Sequence, residues 1–337
     1  MTAAERSVKA KPAADSYMML AKAMHVQYLA AKDEEAALPN MEKAESAIRS
    51  AIRLTKAPGV DMYLRFGEVL FDREKFGESR AAYLKAYELA RPLEKLPGGH
   101  EAARPAILGL IATNESLRVL AESDRWFQAL VKVRASSFDW ADQAKRQYQR
   151  REFKTAGASY LRAGELLEDP DGFRLARYIC AAADAYMTDG TEPDRTLETS
   201  RSCIEKVGTS PFFAPVRARS HFAIANILND RGIYEEALRH AKEATEIDPG
   251  DAFAWQERAE SLTRLGQAKE AIAAAKEAIR LSDGKYGHMH FTLGAALFDA
   301  HDFRAARQSF EKAAELARSK GPSRPVQRRA LSRAFGL

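Results

Sequence analysis

The feature that most constrains the fold is an internal repeat in the last third of the chain. The stretch "GIYEEALRHAKEATEIDPG" begins at residue 232, and "GQAKEAIAAAKEAIRLSDG" begins at residue 266, a step of 34. The matched positions are Gly232 and Gly266, Ala237 and Ala271, Ala244 and Ala278, and Ile247 and Leu281. A third copy follows at a step of 35, with Ala306, Ala313 and Leu316 in the same places. A period near 34 predicts a solenoid, since one copy cannot bury its apolar side alone.

Each copy has the pattern of two amphipathic helices. The apolar face of the second helix in the first copy consists of Tyr234, Ala237, Leu238, Ala241, Ala244 and Ile247. Ala237 and Ala244 are small enough to let two helix backbones approach each other. Asp248-Pro249-Gly250 then ends the helix, because proline cannot continue it and glycine accepts a left-handed turn. No alternating β pattern competes, so the sequence predicts an all-α protein.

These residues resemble the tetratricopeptide repeat (TPR) family. The matching positions in the regular copies are Trp255, Leu293-Gly294, Tyr234, Ala271, Phe310, Ala313 and Pro249. Looser matches at 63–90 and 140–167 include Phe66-Gly67, Phe76, Tyr83 and Ala86, then Trp140, Phe153, Ala156, Tyr160 and Ala163. Phe76, Tyr83 and Ala86 recur 77 residues later, so one irregular helix pair is expected between the two segments. The resemblance implies a right-handed superhelical solenoid of antiparallel helix pairs, about six to eight of them.

The sequence also predicts how the chain is organised. The expected parts are a flexible leader at 1–15, an irregular TPR-like block at 16–208, a Pro-containing linker or kink at 209–217, three regular TPR units at 218–318 and a basic tail at 319–337. The segment 209–217 is either a kink within one superhelix or a hinge between two. The tail is either a short capping helix or mobile. Longer internal turns are expected at "KDEEAALPN" and "DGTEPDR".

Composition is ordinary for a folded chain of 337 residues, with 46% hydrophobic and 29% charged residues and a net charge of +5. No run approaches the roughly 18 apolar residues that a membrane span needs. The two cysteines, Cys180 and Cys203, are too few for a disulfide framework, which favours a reducing, cytoplasmic location. Cys180 lies on an apolar helix face and is interpreted as a small buried hydrophobe rather than a nucleophile.

Motifs for catalysis, cofactors and metals are missing from the sequence. There is no phosphate-binding glycine loop and no G-x-S-x-G, so we predict a protein that is not an enzyme and takes no cofactor. His288 and His290 are two residues apart and point to different sides of a helix, so no metal site is predicted.

The resemblance implies a binding scaffold, with a peptide segment or helix of a partner protein in a groove lined by the first helices. The predicted groove residues are Arg219, Phe222, Asn226, Asn229, Gln256, Glu260, Thr263, Phe291 and Phe298. Phe222, Phe291 and Phe298 are the expected anchors, because aromatic residues dominate many interfaces. The alternative is that they close gaps between repeats.

A different class of partner is nucleic acid. Phosphate contacts would come from two basic segments, 145–154 and 318–333. The first of these segments also contains aromatic residues. The competing interpretation of 145–154 is a helix–turn–helix corner with Tyr148 and Phe153 buried. A third role, gripping the C-terminal carboxylate of heat-shock chaperones as some TPR proteins do, is rejected. The matching places hold Phe222, Asn226, Glu257, His288 and Thr292, where only Asn226 fits and Glu257 would repel a carboxylate.

Overall fold

The computed structural model describes residues 2–31, 33–95, 100–167 and 172–319, and these ranges contain helices but no strand. They form eight pairs of consecutive, packed helices, so the prediction of an all-α TPR-like solenoid is confirmed. The chain divides into two compact units between Ala135 and Ser136.

The first unit contains seven α-helices and one short 3-10 helix. They are α1 (Ala3–Ala10), α2 (Ala14–Leu29), α3 (Glu34–Leu54), α4 (Val60–Asp72), α5 (Phe76–Ala90), a 3-10 helix (Arg91–Lys95), α6 (His100–Ser116) and α7 (Leu120–Val133). The pair α6–α7 is the irregular pair that the 77-residue spacing predicts, and it is confirmed.

The second unit contains ten α-helices within its described residues. They are α8 (Ser137–Gln149), α9 (Phe153–Glu165), α10 (Gly172–Asp189), α11 (Pro193–Val207), α12 (Ala214–Asp230), α13 (Tyr234–Ile247), α14 (Ala252–Arg264), α15 (Ala268–Leu281), α16 (Gly287–Asp299) and α17 (Phe303–Ser319). A 3-10 helix, Pro211–Phe213, precedes α12.

The predicted turn "KDEEAALPN" at residues 32–40 is wrong, because α3 begins at Glu34 and carries Pro39 inside it. Met41, Ala44 and Ile48 follow at helical spacing and are completely buried against α2 and α4. The stabilisation from burying these side chains outweighs the cost of the backbone hydrogen bond that Pro39 removes near the start of the helix. Tertiary burial therefore extends α3 through a sequence that is typical of a turn.

The N-terminal segment 1–15, predicted to be a flexible leader, contains α1. Thr2 accepts a hydrogen bond from the backbone N–H of Glu5, while the Glu5 carboxylate accepts one from the backbone N–H of Thr2. This capping box satisfies two of the free donors at the start of the helix. The two-proline segment 209–217 lies inside the second unit, and α12 begins within it, at Ala214. The helices α11 and α12 that it connects pack together. The hinge-or-kink boundary there stays a prediction, and the tail from residue 320 onward lies outside the described residues.

Aromatic rings lie against glycines where neighbouring helices pack. The Tyr83 ring of α5 contacts Gly67 of α4 so closely that a Cβ on this glycine would lie 2.8 Å from the ring. The same ring also contacts Gly109 of α6. In the second unit the Phe310 ring covers Gly294, where a Cβ would lie 2.7 Å from the ring. The Phe66-Gly67 and Leu293-Gly294 pairs in the sequence are therefore sites where a missing side chain makes room for an aromatic ring.

The two cysteines form a disulfide, which corrects the interpretation of Cys180 as a free buried hydrophobe. Cys180 of α10 is bonded to Cys203 of α11, and both are buried. The pair lies in a core with Ala176, Ala183 and Val207. Two cysteines that are 23 residues apart face each other because α10 and α11 are antiparallel neighbours. The cysteine content consequently does not support a reducing compartment, and the cytoplasmic location stays a prediction.

Gly109→Ala tests the aromatic–glycine contact. The added methyl group overlaps the Tyr83 ring, so we expect a loss of about 1–3 kcal/mol in the free energy of unfolding, as is typical of overpacking. Gly77→Ala is the control, because it is also helical but has no heavy atom within 4 Å of the added Cβ. Chemical denaturation of both variants measures the difference. Equal stability of the two variants would contradict the packing.

Ala271→Trp tests the register of the repeat. Ala271 is completely buried between α14 and α15, so a tryptophan there should destabilise the fold by about 1–3 kcal/mol or more. The same change at Ala237, also completely buried, should act likewise. Ala273→Trp is the matched control, since Ala273 is on the exposed side of α15. Equal losses of melting temperature in Ala271→Trp and Ala273→Trp would show that the buried face of α15 is assigned wrongly.

Candidate functional site

The candidate site is the solvent side of α12, α14 and α16, which we call the first-helix surface. These helices are the first members of the three regular pairs, and they contact one another directly, α12 with α14 and α14 with α16. Small residues on these helices, such as Ala225, Ala259 and Ala296, are completely buried. The predicted groove residues lie on these three helices.

A buried carboxylate connects α12 to α14. Glu257 of α14 is only 6% exposed. It accepts hydrogen bonds from the side-chain amides of Asn226 and Asn229, both at 2.9 Å. The hydroxyl of Ser261 donates to the Asn229 oxygen at 2.8 Å. Because buried polar groups are costly unless they are bonded, this cluster favours one relative position of the two helices.

A second polar contact joins α14 to α16. The Gln256 amide nitrogen donates to the Thr292 hydroxyl at 2.7 Å, and both side chains are buried. A third connects α10 to its neighbours, since Asp184 accepts a hydrogen bond from the Tyr148 hydroxyl of α8 and pairs with Arg219 of α12. Burial, and then the bond to Asp184, raise the pKa of the Tyr148 phenol. Successive first helices are thus joined by side-chain hydrogen bonds and an ion pair.

The predicted polar groove residues consequently differ in accessibility. Asn229 and Gln256 are buried and bond neighbouring helices. Asn226 is half-buried, and Arg219 is exposed beside Asp184. Thr263 is half-buried, and its hydroxyl donates to the backbone carbonyl of Ala259. Glu260 is also half-buried. The role of all these residues in binding stays a prediction.

The three predicted aromatic anchors also differ. Phe222 is half-buried on α12. Phe291 packs against Phe310 of α17 with ring centroids 5.2 Å apart, as a gap-closing residue would. Phe298 is 55% exposed and contacts Phe303, which is 56% exposed. Phe298 is therefore the most exposed of the three predicted anchors, while Phe222 and Phe291 are half-buried.

An aromatic cluster at the start of α14 and α16 was missed from the sequence. Phe253, Tyr286 and His288 lie together, with the Phe253 ring centroid 5.1 Å from that of Tyr286 and 6.3 Å from that of His288. The signal was an aromatic or histidine at the start of two consecutive first helices. Glu257 was also missed as a structural residue, although an acid on a packed helix face, one repeat after two asparagines, indicates such a contact.

The two histidines considered for metal binding, His288 and His290, have different surroundings. His288 is buried in the aromatic cluster, while His290 lies within 3.3 Å of the backbone carbonyl oxygen of Gly284. Among the described residues, no group of three or more histidine, cysteine, aspartate or glutamate side chains could hold a metal ion. No helix in the described ranges has the length and apolarity that crossing a membrane requires.

A pair of histidine rings lies inside the first regular helix pair. The Nδ1 atoms of His221 on α12 and His240 on α13 are 2.9 Å apart. Burial, with smaller effects of His240 and Arg217, lowers the pKa of His221 to about 4. Burial also lowers the pKa of His240, although the Glu236 carboxylate opposes this shift.

The basic segment 145–154 forms the corner between α8 and α9. The rings of Tyr148 and Phe153 pack edge to face with centroids 5.0 Å apart. Lys154 pairs with Glu192 at 2.6 Å, and Arg150 lies 3.9 Å from Glu152. Both aromatic residues are half-buried, and the edge of one ring covers part of the other. Of the other basic segment, 318–333, only Arg318 belongs to the described residues.

Comparison with known families identifies the repeat. The family model described as "Tetratricopeptide repeat" matches residues 254–284, which comprise nearly all of α14 and α15. Residues 254–284 therefore match a tetratricopeptide repeat. The resemblance predicted from the sequence is confirmed. TPR proteins are generally scaffolds for protein–protein interaction, and their repeats are typically non-catalytic.

Individual relatives are distant. "Small glutamine-rich tetratricopeptide repeat-containing protein 2" of Mycosarcoma maydis is 29% identical over 99 residues, which are 29% of this chain. The match spans 27% of the length of that relative. Similar solved structures include MamA from Desulfovibrio magneticus RS-1 (17% identical, 55% of this chain and 97% of the other, TM-score 0.44) and MamA MSR-1 (19% identical, 55% and 98%, TM-score 0.43).

Glu257→Gln tests the connection between α12 and α14. The new amide would place N–H groups against the amide nitrogens of Asn226 or Asn229, so we expect a loss of about 1–3 kcal/mol in stability. Glu246→Gln is the control, because Glu246 is exposed on α13. A double-mutant cycle with Asn229→Ala should show a coupling of about 0.5–3 kcal/mol. Additive effects of the two changes would contradict a direct contact.

Proposed function

We propose that this TPR protein is a non-catalytic scaffold whose first-helix surface binds a peptide segment or helix of a partner protein. The observation that carries the proposal is the set of polar contacts between α12, α14 and α16. Side-chain hydrogen bonds hold these helices at defined spacings, so their solvent side is organised before a partner arrives. Preorganisation of this kind reduces the entropy that binding costs.

The residues on this surface suit a polypeptide ligand. Phe222 and Phe298 offer apolar area, which supplies affinity when it is buried in an interface. The Thr263 hydroxyl oxygen can accept a hydrogen bond from a peptide backbone while it donates to the Ala259 carbonyl. Arg219 and Glu260 place opposite charges on the same surface, which favours a partner segment with a defined charge pattern.

A protein partner is favoured over nucleic acid by the contacts of the basic corner. Nucleic-acid binding through 145–154 would need exposed aromatic faces and free cations. Tyr148 instead packs on Phe153 and bonds Asp184, and Lys154 pairs with Glu192. No described contact favours the nucleic-acid alternative.

The test is selection of peptides from a displayed random library, followed by affinity measurements with variants. Phe222→Ala and Phe298→Ala should each weaken binding of a selected peptide about tenfold or more, with little change in melting temperature. Phe212→Ala is the control, since Phe212 is 68% exposed but lies on the 3-10 helix before α12. Intact binding together with a stability loss of about 3 kcal/mol would place Phe222 or Phe298 in the core instead.

Salt dependence distinguishes the two partner classes. Affinity for a selected peptide should change little between low and moderate salt, because apolar anchors are not screened. A contact with nucleic acid would lose orders of magnitude over the same range, since counterion release drives it. Strong binding of a random-sequence oligonucleotide that falls steeply with salt would contradict the proposal.

A further inference from the structure

The histidine pair between α12 and α13 has a geometry that depends on its protons. The Nδ1 atoms of His221 and His240 are 2.9 Å apart, and the ring centroids are 5.1 Å apart. His221 is only 8% exposed. At this distance one Nδ1 donates a hydrogen bond and the other accepts it, so the contact holds a single proton.

Protonating both rings removes this hydrogen bond. Each imidazolium carries an N–H at Nδ1, so two donors would face each other across the same short distance. Two like charges in a poorly solvated site would add electrostatic repulsion. The contact between α12 and α13 at this point is therefore compatible with no charge or one charge, but not with two.

The charges around the pair are mostly positive. The charged groups that act on the two rings are Arg217 of α12, Arg239 and Glu236 of α13, and Arg201 of α11. Glu236 lies 4.0 Å from His240 Nε2, but it is also bonded by Arg201 at 2.9 Å. On the other packed helices, Asp184 of α10 pairs with Arg219, and Arg258 of α14 donates to Thr245. One partly neutralised carboxylate thus faces the pair, which leaves extra protons poorly compensated.

We propose that the His221–His240 pair is an acid-sensitive switch of the first-helix surface, which separates α12 from α13 and weakens partner binding when both rings become protonated. This regulation rests on the proposed binding function. α12 carries His221 next to Phe222 and also holds Arg219 and Asn226, so movement of this helix displaces three predicted contact residues together. It also disturbs the bonds from Asn226 and Asn229 to Glu257.

The direction of the pH effect follows from the lowered pKa values. An unfolded or opened chain takes up protons near the ordinary histidine pKa of about 6.5. The packed pair takes them up only at lower pH, near about 4 for His221. Between these values the opened form binds more protons, so the packed form loses stability as pH falls through this window. Above about pH 7 both forms are neutral at these rings, and the stabilising contact is fully present.

Hydrogen exchange of the full chain tests the switch without any ligand. Amide protection, corrected for intrinsic exchange, is compared at about pH 7.5 and about pH 5. We expect protection in α12 and α13 to fall about tenfold or more, relative to α4 and α5. The variant carrying His221→Gln and His240→Gln should not show this fall, because glutamine amides can still bond but do not titrate. His290→Gln is the matched control, since burial also lowers the pKa of His290, on α16, and this variant should respond to acid like the wild type.

Two further measurements separate the outcomes. The ring signals of His221 and His240 are followed in the wild type as pH falls, and one of these two rings should titrate below about pH 5. Titration of both rings near pH 6.5 would overturn the proposal even if the double variant does not fold. The affinity for a peptide selected at neutral pH should fall about tenfold by about pH 5 in the wild type, but little in the double variant. If no peptide is selected, the binding function fails while exchange still tests the pair. If amide protection in α12 and α13 falls equally at about pH 5 in the wild type and in the double variant, the proposed switch is wrong while the binding function stands.

Discussion

The structure depends on how closely two helices can approach each other. Tyr83 touches Gly67 and Gly109 at once, and Phe310 covers Gly294 in the same way. In the other two regular units Ala225 and Ala259 stand at the position that Gly294 has in the third, and both are completely buried. Each aromatic ring fills the volume that a small residue leaves on the neighbouring helix. A larger residue at these positions would separate the helices and would remove the surface on which the next pair packs.

Polar contacts add what apolar packing lacks, which is a preference for one alignment. Apolar helix faces can slide against each other at modest cost, whereas buried hydrogen bonds are satisfied in few positions. His25 and Asp72 form such a contact between α2 and α4 at 2.6 Å. Glu257 with its two asparagines does so between α12 and α14. The same side chains that resemble ligand contacts in the sequence thus hold the spacing of the surface on which a ligand would bind.

The His221–His240 pair combines close packing and a buried polar contact at one place. His221 occupies a packed position of α12 where the other regular units hold Trp255 and His290. Its ring therefore contributes to the core as well as to a polar contact, and the contact is maintained only while the pair holds few protons. A titratable residue at such a position makes the packing of one helix pair depend on pH, which an apolar residue would not do.

The sequence by itself determined the helical class, the repeat period and the packed faces. The repeat period and the packed face of each helix depend on local spacing, as the alanines at a step of 34 and the glycine–aromatic positions show. Such patterns can be recognised without a structure. Part of the candidate site was not predictable in this way. Asn229 and Gln256 have the residue types and spacing of ligand contacts, but their burial depends on which side chain of the next helix faces them.

Only the tertiary structure decided the remaining features. Pro39 lies inside α3 because burial of Met41 and Ile48 outweighs a local turn preference. Cys180 meets Cys203 because two helices return antiparallel, which no spacing rule for short motifs describes. His221 meets His240 because residues on two helices, nineteen positions apart, face the same small volume. In each case the physical reason is the same, since contacts between helices are decided by packing in three dimensions and local sequence specifies only the helix and its face.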